Sequence, residues 1–218
     1  MNINWYGQSC FQISSNQGKN NHLSTLIDPF EESIGLQLPR KLEADVVLIT
    51  HNHLDHNNVK AVSGQPFIAL GPGEYDVKGI FIQGIPAFHD NVQGKERGRT
   101  TIYTIEAEEI KLCHLGDLGQ KELTAEQLDK IGDVDILMIP IGGFFTINAQ
   151  EAVKIMAQIE PKIIIPMHYK IPNLNIKLDG LDKFLKIVGV KKIEPLSKLF
   201  IKEKDLPKEE VKIIVLQP

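Results

Sequence analysis

The chain has 218 residues, of which 42% are hydrophobic and 24% are charged, and its formal net charge at pH 7 is −4. These values lie near the globular average, so we expect one domain over residues 1–218 with a full hydrophobic core. The negative charge argues against a protein held on nucleic acid mainly by phosphate contacts. No apolar run is long enough to span a bilayer, and the first residues do not resemble a signal peptide, so we expect a cytoplasmic protein without membrane contacts. The distant cysteines Cys10 and Cys113 predict buried free thiols.

Short apolar or alternating runs predict many strands. The first two are separated by a turn at Gly7, and a second turn is expected at residues 15–18. The continuous run VVLIT is typical of a strand that is covered on both faces. The predicted strands cover residues 2–6, 10–14, 24–28, 46–50, 66–70, 80–85, 100–106, 110–114, 134–139, 162–166 and 211–216.

Helix-capping patterns predict few helices. Thr124 with Gln127, and Asn148 with Glu151, both fit the capping box, in which two side chains bond the opening amides reciprocally. We expect one helix from the first box to about residue 131, and another from the second box through AVKIMAQI to Pro161. A third is expected over LDKFLKIV, ending before Gly189. The many strands and few helices predict a mixed α/β chain of the α+β type.

The segment THNHLDHNN, residues 50–58, places three of the seven histidines around one aspartate. Side chains two residues apart in an extended segment point the same way, so His51 and His53 can bind one divalent ion. Asp55 and His56 follow where the chain turns and can serve a second ion close by. The spacing H-x-H-x-D-H therefore predicts two adjacent half-sites, and the alternative is a polar turn with surface histidines.

Three further segments, PAFHD, CHLGDLG and IIIPMHY, each place a metal-binding side chain just after an apolar strand. A carboxylate has two oxygens and can bridge two ions. We therefore predict two ligand sets with a shared bridge: His51, His53 and His89 for one ion, Asp55, His56 and His168 for the other, and Asp117 between them.

Taken together, these motifs resemble the metallo-β-lactamase superfamily. The resemblance rests on THNHLDH, PAFHD, HLGDLG and PMHY in that order, and WYGQSCFQI, GPGEYDVKGI and PIGGFFTINAQEAV are similar to a branch of small metal-dependent hydrolases that includes the ascorbate-phosphate lactonase group. It implies a four-layer αββα sandwich with a dinuclear site at one edge. Gln8 departs from the pattern, because relatives often carry histidine at this position.

Three further residues near the predicted ligands are candidates for supporting or substrate-contacting roles. Asp28 follows an apolar strand and is expected to orient a metal-binding histidine through a hydrogen bond. His114 is expected to be a core or supporting histidine rather than a ligand. Tyr169 is either a proton donor or substrate contact, or a simple packing residue.

The segment HDNVQGKERGRTT gathers Lys95, Arg97 and Arg99 between His89 and the next strand, and its glycines predict a mobile loop. Cations beside a metal site favour a small-molecule substrate with a phosphate or carboxylate group. The alternative is a solvated charged hairpin.

The predicted function is hydrolysis by hydroxide formed at two divalent ions, with zinc favoured and manganese or iron as alternatives. Asp55 and Asp117 are the predicted catalytic carboxylates. The expected substrate is a small ester, lactone or phosphodiester, and whether it is anionic depends on which of the two alternatives for the charged loop holds. The rival functions are an iron-dependent redox enzyme of the same fold, a nuclease and a non-catalytic metal sensor. A nucleic-acid partner is not expected, and a homo-oligomer is left open.

Overall fold

The computed structural model describes residues 1–16 and 22–218. Its strands, in chain order, are β1 (Asn2–Gly7), β2 (Cys10–Asn16), β3 (His22–Ile27), β4 (Leu42–Glu43), β5 (Val46–Leu48), β6 (Val62–Ser63), β7 (Phe67–Ala69), β8 (Gly73–Val77), β9 (Ile80–Phe88), β10 (Arg99–Ala107), β11 (Ile110–His114), β12 (Ile136–Pro140), β13 (Ile163–Met167), β14 (Leu199–Phe200) and β15 (Lys212–Ile213).

The α-helices of the described residues all come from the second half of the chain: α1 (Ala125–Ile131), α2 (Ala149–Ile159) and α3 (Leu181–Ile187). Short 3-10 turns occur at Glu32–Ile34, Val59–Ala61 and Glu203–Asp205. Both predicted capping boxes are present at the starts of α1 and α2. No helix in residues 1–16 and 22–218 is long and apolar enough to cross a bilayer.

The described strands form two large sheets. Apart from β14, the first sheet is built from strands before residue 70, and the second is built from strands after residue 72. The first has the order β14-β1-β2-β3-β5-β7 and the second the order β15-β13-β12-β11-β10-β9-β8, while β4 and β6 pair with each other. In the first sheet β3 is antiparallel to β2, which is antiparallel to β1, so β1, β3 and β5 run in the same direction. By the same pairing β9, β11, β12 and β13 share a direction in the second sheet. The carboxyl ends of these strands therefore form one edge of each sheet.

One hydrophobic cluster joins the inner faces of the two sheets, and it includes Leu26 and Leu48 from the first and Ile102 and Leu112 from the second. The buried Tyr103 hydroxyl of β10 lies 3.0 Å from the carbonyl oxygen of Ile49, so a hydrogen bond also crosses between the sheets. The two sheets therefore pack face to face around a shared core.

Several predicted strands end earlier than expected, for local reasons. The strand predicted over 24–28 ends at Ile27 because Asp28 has a left-handed backbone with φ of 48°. The strand predicted over 46–50 ends at Leu48, since the Thr50 amide donates to the Asp28 carboxylate instead of to a neighbouring strand. Only Lys212–Ile213 of the run 211–216 pairs in the sheet.

The turn expected at residues 15–18 is wrong for Ser15 and Asn16, which belong to β2, and its remainder lies outside the described residues. Cys10 and Cys113 are free and buried, as predicted. Burial raises the pKa of the Cys113 thiol to about 12, so this cysteine is not a thiolate nucleophile at neutral pH.

Candidate metal centre

The predicted ligands meet at one edge of the sandwich, because each follows the carboxyl end of a strand that runs in the shared direction. The segment with the four N-terminal ligands follows β5, while His89, Asp117 and His168 follow β9, β11 and β13. The side chains form two groups whose ligand atoms lie within 4.8 Å of one another: His51, His53 and His89 in the first, and Asp55, His56, Asp117 and His168 in the second. Each group could hold one metal ion.

Asp117 lies between the two groups. Its Oδ2 is 3.2 Å from His56 Nε2, 3.3 Å from His168 Nε2 and 3.5 Å from His89 Nε2. Burial opposes ionisation of this carboxyl, but His168 and His56 hold its pKa well below the usual range. Asp117 is therefore an anion, and one of its two oxygens, Oδ2, faces imidazole nitrogens of both groups.

Asp28 holds the His56 ring by a hydrogen bond. Asp28 Oδ2 lies 2.8 Å from His56 Nδ1, and the same carboxylate accepts hydrogen bonds from the Thr50 amide and hydroxyl at 2.8 and 2.7 Å. Since Nδ1 donates to Asp28, the lone pair of His56 lies on Nε2. That nitrogen is buried and makes no hydrogen bond within the described residues. A buried imidazole acceptor without a donor fits a metal ligand.

The charge around His56 also favours a cation. Burial lowers the pKa of His56, but the carboxylates of Asp117, Asp28 and Asp55 more than offset this effect and raise the pKa well above its usual value. A bound metal ion would replace the proton as the positive charge between these three groups.

The first group is less buried than the second. The His51 and His53 rings lie 4.4 Å apart, and the His51 and His89 rings 4.6 Å apart, measured between centroids. Burial and the neighbouring His56 lower the pKa of His51 to about 2, so this imidazole is neutral at physiological pH, which is the form that binds metal. His53 is exposed, so the first group faces solvent.

Gln8 in the turn after β1 contacts both sheets, and the sequence alone did not identify this role. Its side-chain Nε2 donates to Asp55 Oδ2 at 3.1 Å, and its carbonyl oxygen accepts from the His168 amide at 3.0 Å and from Trp5 Nε1 at 2.9 Å. Gln8 is fully buried and has a left-handed φ of 49°. Gln8 therefore fixes the positions of two predicted ligands, and it does so in a strained backbone conformation.

The neighbouring Ser9 supports Asp117. Ser9 Oγ donates to Asp117 Oδ1 at 3.2 Å, and the Ser9 carbonyl accepts from His114 Nε2 at 2.9 Å. His114 Nδ1 in turn accepts from the Gly116 amide at 3.1 Å. The structure therefore places His114 in a supporting position, outside both ligand groups. The signal available in the sequence was a polar Gln-Ser pair between two apolar strands.

Tyr169 lies in the core rather than among the ligands. It is 4% exposed, and its ring packs against Trp5 with centroids 5.2 Å apart. Burial raises its pKa, so the hydroxyl stays protonated at neutral pH. These contacts favour the packing alternative for Tyr169.

The charged loop after His89 is folded around Asp90. The buried Asp90 carboxylate accepts hydrogen bonds from four loop amides at 2.7 to 3.0 Å. Of the three predicted cations, Arg97 is half-buried, with its guanidinium carbon 4.5 Å from the Phe145 ring centroid. Lys95 and Arg99 are exposed.

A cavity of about 170 Å³ lies between this loop and the segment after β12. Its walls include His89, Arg97, Lys121, Phe144, Phe145 and Glu151, whereas Lys95 and Arg99 do not line it. The cavity therefore shares the predicted ligand His89 with the first group. Lys121 was not predicted as a site residue.

Two glycines allow the chain to pack against the ligands. A Cβ on Gly119 would lie 2.4 Å from the His89 carbonyl, and a Cβ on Gly142 would lie 2.2 Å from the His168 carbonyl oxygen. Any side chain at either position would displace a predicted ligand.

The comparisons with known proteins agree with this geometry. A sequence profile described as the Beta-lactamase superfamily domain matches residues 2–168. A UPF0173 metal-dependent hydrolase of Thermococcus onnurineus is 31% identical over 196 residues, covering 77% of this chain and 84% of that protein.

Solved structures share the whole fold. A crystal structure from Thermotoga maritima, assigned as a Zn-dependent hydrolase of the metallo-beta-lactamase superfamily, is 34% identical with a TM-score of 0.78, and the match covers 99% of both chains. Igni18, a metallo hydrolase of Ignicoccus hospitalis, shares the fold at 20% identity, with a TM-score of 0.65 and coverage of 92% of this chain and 99% of that one. The chain therefore belongs to the metallo-β-lactamase superfamily, in its branch of small metal-dependent hydrolases, and has the sandwich fold that its sequence motifs imply.

Proposed function

We propose that the chain hydrolyses a small ester, lactone or phosphodiester with water that is activated by a pair of divalent metal ions, with zinc as the favoured metal. The observation that carries this proposal is the position of Asp117 Oδ2, within 3.2 to 3.5 Å of imidazole nitrogens from both ligand groups. One carboxylate placed in this way can hold two ions at once.

The donor set supports the choice of metal. Five imidazoles and two carboxylates suit zinc, and iron or manganese are the alternatives to be tested. Bound in these groups, two divalent ions would lower the pKa of a shared water to near neutrality and polarise the group under attack.

Asp55 and Asp117 are the proposed catalytic carboxylates. Burial opposes the ionisation of Asp55, but His56 lowers its pKa well below the usual value, so it is an acceptor at neutral pH. Gln8 Nε2 fixes one oxygen of Asp55. The carboxylate can thus orient a water molecule at the edge of the second group.

The described residues around the ligands supply no competing nucleophile. Burial and Asp28 raise the pKa of Cys10, which keeps this thiol protonated. Ser9 Oγ donates its proton to Asp117 and has no histidine base as a hydrogen-bond partner within the described residues. Activated water is therefore the favoured nucleophile. The two buried free thiols also support a reducing, cytoplasmic location.

Metal content is the first test. We expect close to two transition-metal ions per chain in natively purified protein, and His51→Ala should lower this number by about one. His22→Ala is the matched control, because His22 is exposed at the start of β3 and should leave the metal content unchanged. Negligible metal in the native protein, together with no rise in melting temperature on adding zinc or manganese, would contradict the dinuclear site.

The chemistry is tested with lactones, phosphodiesters and thioesters in water labelled with ¹⁸O. We expect turnover under nitrogen, with the label in the product. Label from dioxygen only, or a requirement for an electron donor, would replace the hydrolase with the redox alternative.

A further inference from the structure

The cavity beside His89 is lined by two cations, Arg97 and Lys121, and by three carboxylates, of which Glu96 is exposed and forms no ion pair with Arg97 within the described residues. Two of these carboxylates already have partners. Asp90 accepts hydrogen bonds from the four loop amides. Glu151 accepts a hydrogen bond from the Asn148 amide at 2.9 Å and lies 3.4 Å from Lys121 Nζ. Lys121 is thereby paired. Arg97, in contrast, has no ion pair within the described residues.

Arg97 is also held in place before any ligand binds. Its backbone amide donates a hydrogen bond to Asp90 Oδ2 at 2.8 Å, which fixes the backbone from which the side chain extends. Its guanidinium stacks on Phe145, and stacking on a ring face leaves the N–H edges free for a ligand. A half-buried guanidinium in this state is suited to bidentate binding of an oxyanion.

The size of the cavity limits what Arg97 can bind. Its volume of about 170 Å³ is close to that of an engineered cavity of about 150 Å³ that holds one benzene molecule. It can take a phosphate or carboxylate with a few attached atoms, whereas complete ligand pockets usually measure about 300–1,000 Å³. Because His89 lines the same cavity, the remainder of such a ligand would extend toward the metal groups.

We infer that Arg97, stacked on Phe145, binds the anionic group of the substrate and makes the enzyme selective for small substrates that carry a phosphate or carboxylate. This inference rests on the proposed function for the reacting end of the substrate. Arg97 is the selecting residue, and Lys95 and Arg99, although they share its loop, contribute little because they do not line the cavity.

The test uses three lactones: one with a phosphate group, one with a carboxylate and the uncharged parent compound. For the two anionic lactones, Arg97→Gln should raise KM by about 10- to 100-fold with little change in kcat, because the lost contact is present in both ground and transition states. The parent lactone should show less than about a 2-fold change. Arg97→Lys should give an intermediate KM, since it keeps the charge and loses the planar fork.

Lys95→Gln and Arg99→Gln are matched controls that remove the same charge from the same loop. We expect neither to change KM for any of the three compounds by more than about 2-fold, and all variants should retain the metal content of the wild type. The relative KM effects on the phosphate and carboxylate lactones identify which anion Arg97 prefers.

If the wild-type protein hydrolyses none of the lactones, calorimetric Kd values for the same compounds replace KM. The proposed reaction would then fail, while weaker binding of the anionic lactones to Arg97→Gln would still support the anion site. The inference is overturned if wild-type protein does not prefer the anionic compounds, if Arg97→Gln affects all three equally, or if the two control variants have the same effect as Arg97→Gln.

Discussion

Replacing Asp90 with asparagine should open the loop of residues 91–98. In the native loop, Asp90 Oδ1 accepts from the Val92 and Gly94 amides at 2.9 and 2.7 Å, and Oδ2 accepts from the Glu96 and Arg97 amides at 3.0 and 2.8 Å. Asparagine keeps one acceptor oxygen, and its NH₂ group cannot accept a hydrogen bond. Two backbone donors of the loop therefore lose their partner.

The loss of free energy that holds the loop closed follows from these two lost hydrogen bonds. A hydrogen bond to a charged group contributes about 1.5–3 kcal/mol, so the loss is about 3–6 kcal/mol if nothing replaces it. Water can bind the freed amides of this surface loop, which places the expected cost at the lower end, about 3 kcal/mol. Since about 1.4 kcal/mol corresponds to a factor of ten, the population of the open loop should rise by about 100-fold.

Acid should have the same effect on the native protein. Burial opposes the ionisation of Asp90, but the amides of Arg97, Val92, Gly94 and Glu96 together lower its pKa to about 2. A carboxyl with a lowered pKa stabilises the fold above its unfolded value, about 3.9, and this stabilisation is lost as the pH falls through the folded value. The protection of the loop amides against hydrogen exchange should therefore decrease as the pH falls from about 4 to about 2.

Amide hydrogen exchange measures the opening directly. We expect exchange of the loop amides to be faster in Asp90→Asn, with the exchange of β9 and β10 little changed. Asp129→Asn is the control, because Asp129 is an exposed aspartate on α1. Equal loop exchange in the two variants would refute the role of Asp90.

Three further substitutions test the support of the ligands. Asp28→Asn should weaken metal binding by about 10- to 100-fold in chelator competition, because it disturbs the partner of a predicted metal-binding histidine; unchanged affinity would contradict this. Gln8→Leu removes the donor from Asp55 and should weaken metal binding by about 10-fold in the same assay, and wild-type affinity would show that the hydrogen bond is dispensable. Gly142→Ala places a Cβ 2.2 Å from the His168 carbonyl oxygen and should cost about 1–3 kcal/mol, so a melting temperature within about 2 °C of wild type would argue against a tight contact.

Local signals predicted part of the fold well. The two capping boxes involve residues three positions apart, so α1 and α2 could be placed from the sequence. The edge strand β8 was missed because its side chains are exposed or half-buried, which leaves no apolar pattern. The two-residue strand β14 depends on pairing with β1, nearly 200 positions away, and has no local signal.

The same distinction applies to the site. His89, Asp117 and His168 could be proposed because each directly follows an apolar strand. Gln8 and Lys121 could not, since their contacts depend on how the two sheets meet and on how closely the chain at Gly119 passes His89. Sequence spacing alone also could not separate Arg97 from the other cations of its loop.

The division of each ligand group between the two sheets has a consequence for biosynthesis. Each group combines two ligands that precede residue 57 with one or two that follow residue 88, so two side chains of each group leave the ribosome well before the others. An N-terminal fragment offers each ion only two side chains, fewer than the three or four protein ligands of stable zinc sites. Metal loading would therefore wait until the second sheet has docked, and the tightly held ion would mark chains whose synthesis and folding are complete.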